Sequence, residues 1–349
     1  MSSPAQALDP ASTRMFREAA EAGAAVRAQL ERNRDNASEL GARLRAATPR
    51  AVVTCARGSS DHAATYAKYL FETRAGVLVA SAAPSIASVY GARQDLRDCL
   101  FIAISQSGRS PDLLSTLQAA RQAGALTVAL VNDEGSPLAS AADHALPLCA
   151  GEEQSVAATK SYIASLAALA HLTAEWTGDA GLASALAGAP DDLERAWQLD
   201  WQGALGTLRP ANNLYVIARG VGLGIAQEAA LKCKETCGLH AESFSAAEVL
   251  HGPQALLQGD FPALLFAQDD ETRAGIEALA SDLVARGVVV VLAGACVSGV
   301  IALPTIASHS AIEPLLIAQS FYRLANALAI ARGHDPDRPP HLSKITETT

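Results

Sequence analysis

The chain has 349 residues, half of them apolar, with 18% charged residues and a formal net charge of −9. That apolar content suits a sizeable core and two domains of ordinary size. The acidic balance argues against a partner recognised through a broad basic surface, so no nucleic acid and no anionic membrane is expected. The six cysteines, at 55, 99, 149, 233, 237 and 296, form no CxxC pair and no zinc-like His/Cys spacing, so neither a disulfide framework nor a metal is expected. The opening MSSPAQALDP lacks a basic segment followed by an apolar one, and reduced thiols without a visible secretory signal fit a cytoplasmic protein.

In chain order, an Ala-rich amphipathic stretch over 13–45 comes first, then a strand near 51–56, a helix near 61–73, a strand near 100–104, a helix near 111–123 and a strand near 126–131. A small-residue segment at 177–192 reads as a linker or a loose helix end. The plan then returns: strand 214–218, helix 223–236, strand 263–267, helix 272–286, strand 288–293. Alternation of this kind predicts an α/β fold with parallel sheets covered by helices. The uncharged run 287–308 is long enough to span a bilayer, but Gly294, Gly299, Pro304 and the bunched valines predict strand, loop and strand. The last residues, GHDPDRPPHLSKITETT, are Pro-rich and polar and predict an irregular tail.

The return is a duplication. At an offset of 162, Ala56-Arg57-Gly58 falls on Ala218-Arg219-Gly220, Ile102-Ala103-Ile104 on Leu264-Leu265-Phe266, and Val128-Ala129-Leu130 on Val290-Val291-Leu292, without a gap. The expected organisation is an arm with a first domain over 1–190, a second domain over 191–333 and a tail over 334–349.

Ligands of an open parallel sheet settle at the carboxyl ends of its strands. SQSGRSPD, residues 105–112, lies at such an end, with Ser110 suited to the N-cap, Pro111 to the first helical position and Asp112 to the first turn. The hydroxyls of Ser105, Ser107 and Ser110, the amide of Gln106 and free N–H groups could surround an anion without a fixed cation. Serines that merely cap a helix would explain one such loop equally well. The second repeat bears on the choice: it carries Ala267-Gln268-Asp269-Asp270 at the same offset, and Val221-Gly222 in place of Ser59 and Ser60. One half kept its hydroxyls at both loops and the other lost them, a difference that capping explains poorly.

Glu228, Lys232 and Glu235 stand at i, i+4 and i+7 of one helix and share a face, the ordinary reading being a solvated one. An aldose–ketose proton transfer needs a carboxylate near the acidic carbon and a donor for the developing oxyanion. ARGVGLG at 218–224 follows a strand and opens a helix, but its spacing is GxGxG and not the dinucleotide GxGxxG, and its partner in the first repeat is the serine loop.

ARGSSDH, SQSGRSPD, EEQSVAATKSY, EAALKCKETCGLHAESFSAAEVLHGP and HLSKITE together resemble the double sugar-isomerase (SIS) domain proteins over residues 40–349. The resemblance is to the isomerase half of glucosamine-6-phosphate synthase and to the SIS-type glucosamine-6-phosphate deaminases. It implies two tandem SIS domains, each a flavodoxin-like three-layer sandwich, with no cofactor. The serine loops (Ser59, Ser60, Ser105, Gln106, Ser107, Ser110) would bind the phosphate of a 6-phosphosugar, Glu235 would move the proton between C1 and C2, and Lys232 would be its charge partner. By the same resemblance His251 opens the sugar ring from across a subunit boundary, which implies a homodimer with shared active sites. Lys344 folds over the sugar with the tail as a lid, and Val156 to Ala158 touch the sugar through their backbone.

The synthase begins with a glutamine-hydrolysing domain and an N-terminal cysteine nucleophile. Here about 40 residues starting Met-Ser-Ser-Pro precede the first repeat, and Arg57 stands where the synthase usually has cysteine. Both features favour the deaminase: glucosamine 6-phosphate and water to fructose 6-phosphate and ammonia. Isomerisation or deglycation of another 6-phosphosugar remains open, as does a sugar-phosphate-sensing regulator without catalysis.

Overall fold

A computed structural model describes residues 8–344. The arm is two helices, α1 (Arg14–Ala20) and α2 (Ala22–Ala46), parting at Glu21. The first half then runs β1 (Ala51–Cys55), α3 (Ser59–Leu70), β2 (Val79–Ser81), α4 (Ser85–Ser88), β3 (Cys99–Ser105), α5 (Pro111–Gln122), β4 (Leu126–Val131), α6 (Pro137–Ala141) and β5 (His144–Pro147). Two long helices follow, α7 (Lys160–Thr177) and α8 (Ala180–Trp197). After the single turn α9 (Leu205–Leu208), the second half runs β6 (Asn213–Ala218), α10 (Leu223–Cys237), β7 (His240–Ser245), β8 (Ala263–Phe266), α11 (Arg273–Ala285), β9 (Val290–Ala293), β10 (Ile301–Leu303) and α12 (Glu313–Ala331).

Both sheets are parallel and five-stranded, ordered β2-β1-β3-β4-β5 and β10-β9-β8-β6-β7. Renumbered within its half, the second order is the first read backwards, the doubly wound order of flavodoxin-like folds. The repeat holds at the level of pairing. Val52 faces Val79 as Leu214 faces Ala241, and Val53 faces Phe101 as Tyr215 faces Ala263, all four positions displaced by 162. The next pairing slips by one residue: Ile102 faces Val128, but Leu264 faces Val291. Strands buried on both faces tolerate such a slip, because neither face must be polar. Every residue of β3 and β8 is buried.

Of the two readings of 177–192, linker or loose helix end, the structure has helix over most of the segment. Gly178 ends α7 in the left-handed region at φ 69°, and the Asp179 side chain accepts from Leu182 N (2.9 Å) to start α8. Leu182, Leu186, Ala189, Leu193 and Ala196 are then buried at helical spacing, so the glycines and alanines that suggested a linker are the helix's filler and not a break. Pro190 lies inside this helix, so the expected domain boundary after residue 190 falls within it. The stretch 287–308 does form strand, loop and strand, and no described helix is long and apolar enough to cross a membrane.

The halves meet where α3 crosses α10, the equivalent helices of the two repeats. Gly224 makes the approach possible: a Cβ there would stand 2.6 Å from the His62 carbonyl oxygen and 3.2 Å from Tyr66 N. The buried helices α7 and α12 close the same core, and Tyr66 donates across the halves to the Ala311 carbonyl (2.7 Å).

Candidate active site

At the carboxyl ends of β1 and β3, two loops lead into helix N-termini. Gly58, at φ 55°, turns the chain from β1 into α3, and Gly108, at φ 62°, turns it from β3 towards α5. A Cβ on Gly108 would collide with the Ser136 hydroxyl at 2.2 Å, so glycine is required for space as well as for conformation. Ser105 Oγ accepts from Gly108 N (3.0 Å) and Ser107 Oγ accepts from Arg109 N (3.3 Å), which leaves each hydroxyl proton free to donate. Ser110 occupies the N-cap position of α5, yet its side chain makes no capping bond. The capping explanation therefore fails at the residue best placed to satisfy it.

These loops open on a cavity of about 310 Å³. Its walls include Ser59, Ser60, Ser105, Gln106, Ser107 and Ser110 from the first half, Val156 and Ala158 from the loop before α7, Lys232 and Glu235 from α10, and Lys344 from the tail. All the expected site residues but one are thereby brought together. His251 is the exception: it sits exposed on the short 3₁₀ turn Glu248–His251 and does not line this cavity.

Beneath the cavity lies a charge network of which only the spacing was legible in the sequence. Glu228 and Lys232 are almost completely inaccessible, and the Lys232 ammonium stands 3.4 Å from Glu228 Oε1 and 2.5 Å from Glu235 Oε2. The face read as solvated is thus buried at its first two positions. Glu228 also accepts from Ser59 Oγ (3.1 Å) and Tyr322 Oη (3.0 Å), and His62 Nδ1 lies 3.0 Å from its other oxygen. Burial pushes the Glu228 carboxyl up, but Lys232, His62 and Ser59 outweigh it and hold the group below its ordinary range, ionised. Burial likewise pushes Lys232 down, and the two carboxylates outweigh it and hold it above its ordinary range, as an ammonium. Glu235, the partly exposed end of the chain of charges, is the carboxylate presented to the cavity.

A second buried carboxylate holds the cavity wall that comes from the loop before α7. Glu153 accepts from Thr159 N (3.0 Å), Ser161 N (3.1 Å) and Ser161 Oγ (2.6 Å), which folds 153–161 into a loop with Val156 and Ala158 at its bend. Lys344 Nζ reaches Glu153 Oε2 (3.2 Å) and donates to the Ser155 carbonyl (2.8 Å), so the tail lies over the cavity with Leu342 and Ser343 beside it. Residues 345–349 of the HLSKITE motif and beyond lie outside the described residues. Arg57 lines the cavity while donating to the buried carboxylate of Asp112 from Nε (3.2 Å) and Nη2 (2.9 Å).

Sequence reasoning missed Glu153, His62 and Tyr322. Glu153 and His62 lie inside quoted motifs, where their acidity and basicity were a signal. Tyr322 sits in the apolar run of α12 and left none.

The second repeat has the same turn and fills it. Gln268, equivalent to Gln106, is fully buried and donates to the Arg219 carbonyl (2.7 Å), Asp270 Oδ2 (2.9 Å) and Thr272 Oγ1 (2.9 Å). The glycines of 218–224 enclose this side chain, and no dinucleotide loop remains open there.

Two parallel sheets in this order, fused by duplication around one cavity at their junction, define a tandem sugar-isomerase-type protein. The SIS domain profile matches residues 47–174 and 207–299, and the chain belongs to that family. A glutamine–fructose-6-phosphate aminotransferase from Aeropyrum pernix is 35% identical over 308 residues, covering 82% of this chain and 49% of that protein. The chain spans about half the length of the curated relatives it matches. Among solved structures, a Silicibacter pomeroyi protein provisionally named a phosphosugar isomerase is 43% identical with a TM-score of 0.90, covering 93% of this chain and all of that one. The C-terminal domain of the Francisella tularensis glucosamine-fructose-6-phosphate aminotransferase is 26% identical with a TM-score of 0.85, covering 94% and 98%. A glucosamine-6-phosphate deaminase from Thermotoga maritima, at 20% identity and a TM-score of 0.77 over 96% and 100%, shares the fold.

Proposed function

We propose that the protein is a phosphosugar-isomerase-type enzyme that deaminates an amino sugar phosphate, with glucosamine 6-phosphate as the substrate: glucosamine 6-phosphate and water give fructose 6-phosphate and ammonia. The observation that carries this reading is the single cavity in which neutral donors of the first repeat face Lys232 and Glu235 of the second, with Lys344 above them. The phosphate sits among Ser59, Ser60, Ser105, Gln106, Ser107 and Ser110, at the N-terminal ends of α3 and α5, where the helix dipole favours an anion.

The pyranose opens with His251 as the proton carrier. Because His251 is outside the cavity of its own chain, it comes from a second copy, and the working unit is a homodimer with shared sites. In the open aldose, Glu235 removes the C2 proton and the developing C1 oxyanion takes a hydrogen bond from the Lys344 side of the cavity. The resulting enolamine is reprotonated at C1, which leaves C1 as CH₂OH and C2 as an imine. Water adds to the imine carbon, the C–N bond breaks, and ammonia leaves with the ketose behind. Lys232 stays an ammonium throughout and fixes the Glu235 carboxylate.

Arg57 in ARGSSDH supports deamination over synthesis. A second reading, isomerisation of another 6-phosphosugar, draws on the full-length likeness to the Silicibacter pomeroyi protein. Incubation with glucosamine 6-phosphate, following ammonia and fructose 6-phosphate, tests the first reading, and Glu235→Gln should abolish turnover. Equal rates for Glu235→Gln and the wild type would remove the assigned base. Silence on glucosamine 6-phosphate with turnover of another 6-phosphosugar would select the second reading.

A further inference from the structure

The cavity-wall loop before α7 is held from both ends, and only one holder belongs to the domain that carries it. Glu153 pins the later end, residues 159–161. The earlier end is pinned from the arm: Glu18 of α1 accepts from Gln154 N (2.6 Å) through one oxygen and from Ser155 N (3.0 Å) through the other. Ser155 is completely buried, and its carbonyl is the acceptor of Lys344 Nζ. Glu18 and the lid lysine thus grip the same residue from opposite sides of its backbone. The tail returns the tie: Asp337 accepts from Arg14 N (2.7 Å) and Met15 N (2.9 Å), so it caps the helix that carries Glu18 seven residues before Lys344. On the next turn of the arm Glu21 binds the Lys160 ammonium (2.6 Å), at the other end of the loop.

We propose that the N-terminal helix α1 is a positioning element of the active site: Glu18 sets the backbone of 154–158 and, through Ser155, the seat of Lys344, while Asp337 locks α1 to the tail. The inference rests on the proposed function for what the cavity binds, but the clasp itself is a statement about this chain's backbone. A carboxylate accepting two adjacent amides fixes the Gln154–Ser155 peptide plane, and so the base from which the next plane, with the Ser155 carbonyl, departs. Without Glu18 those two N–H groups have no built acceptor, and the loop is free to turn the carbonyl away from Lys344. Val156 and Ala158 touch the ligand through their backbone on this reading, so the loss falls on binding more than on the proton transfer.

The test uses the full chain with Glu18→Ala, Glu18→Gln and Asp337→Ala, and with Arg27→Ala, which removes a surface ion pair to Asp191 on the neighbouring helix, as control. Three quantities are read: hydrogen exchange of the peptide spanning 150–158, the Kd of fructose 6-phosphate by calorimetry, and the split of KM against kcat. Glu18→Ala should expose two slow amides in that peptide while α2 and both sheets keep their protection. It should raise Kd and KM on the order of tenfold with a smaller change in kcat, the scale expected when a remote group misplaces a binding wall. Glu18→Gln keeps one acceptor oxygen and should free one amide. It also serves if the alanine variant does not fold. Asp337→Ala should move KM in the same direction, and Arg27→Ala should move nothing. Unchanged exchange at 150–158 with wild-type Kd in both Glu18 variants would overturn the proposal. So would protection lost evenly over α2 and the sheets, which would make Glu18 a residue of the fold alone. If the wild type fails to bind fructose 6-phosphate, the proposed function falls, and the exchange measurement still decides the clasp.

Discussion

Replacing Lys232 by methionine removes a charge while keeping the side chain's length, and it leaves Glu228 fully buried beside no cation of its own helix. At 3.4 Å and an effective dielectric constant near 20, the attraction lost is about 5 kcal/mol. Removing one member of a buried pair costs roughly 3–5 kcal/mol in practice. Ser59, His62 and Tyr322 still hold the Glu228 carboxylate, which places the expected cost near the lower end, about 3 kcal/mol. For a chain of 349 residues that corresponds to a fall of about 4 °C in Tm, and to a lower urea midpoint at unchanged slope. The double variant Lys232→Met/Glu228→Gln removes the stranded charge while keeping an oxygen for Ser59 and Tyr322, and should recover most of the loss. Neither variant should recover activity, because Glu235 has lost the ammonium that orients it. Wild-type stability in Lys232→Met, or a double variant no more stable than the single one, would refute the assignment of a buried and mutually dependent pair.

The same network sets a pH dependence. The Glu228 carboxyl is held below its ordinary value of 4.5, so its contribution is complete above that pH and is lost as pH falls through the lower folded value. In Lys232→Met burial is no longer outweighed, the carboxyl moves up, and acid relieves the stranded charge; the stability gap to wild type, measured by urea unfolding, should therefore narrow between pH 7 and about 4. Ser110→Ala should leave Tm within about 1 °C, because no capping bond is lost, whereas removal of a true N-cap costs about 1 kcal/mol. Its KM for a 6-phosphosugar should rise about tenfold, as should that of Ser107→Ala; an unchanged KM in both would return the loop to a structural role. For His251, subunit mixing is the measurement: His251→Ala and Glu235→Gln, each inactive alone, should on reassortment give about one quarter of wild-type activity, since half the dimers then hold one intact site. No recovery after verified exchange would place His251 and Glu235 in the same chain's site.

The parts of this structure most legible in the sequence are those where pattern and burial coincide. The apolar runs of β1, β3, β4, β6, β8 and β9 announce strands buried on both faces, and Pro111 after Ser110 announces the start of α5. The edge strands β2, β5 and β10 have only three or four residues, and β7, HAESFS, is half polar, because an edge strand needs to please only one neighbour. Helices α7 and α12 are apolar on every side, so they lack the contrast between faces from which a helix is read. Within the site, the residues supplied by loops were found from hydroxyl content and from motifs. The burial of the α10 face was not legible because it comes from α3 and α12, which lie 169 and 94 residues away in sequence from Glu228.

The divergence of the two repeats has a physical logic that Gln106 and Gln268 expose. In the first repeat the side chain lines an open cavity; in the second it turns back and occupies the equivalent turn. Its Oε1 would lie 2.5 Å from a Cβ placed on Gly222, the position that carries Ser60 in the first repeat. The serine cannot return while Gln268 is folded in, and a retracted Gln268 would uncover a turn lined by Asp269 and Asp270, which repel an anion. Loss of the hydroxyl and closure of the turn thus hold each other in place. Closing that turn leaves α10 with no anion at its N-terminus, and its face towards α3 is free to carry acidic groups. Glu228, Lys232 and Glu235 stand on that face, against the very serine, Ser59, that its twin kept.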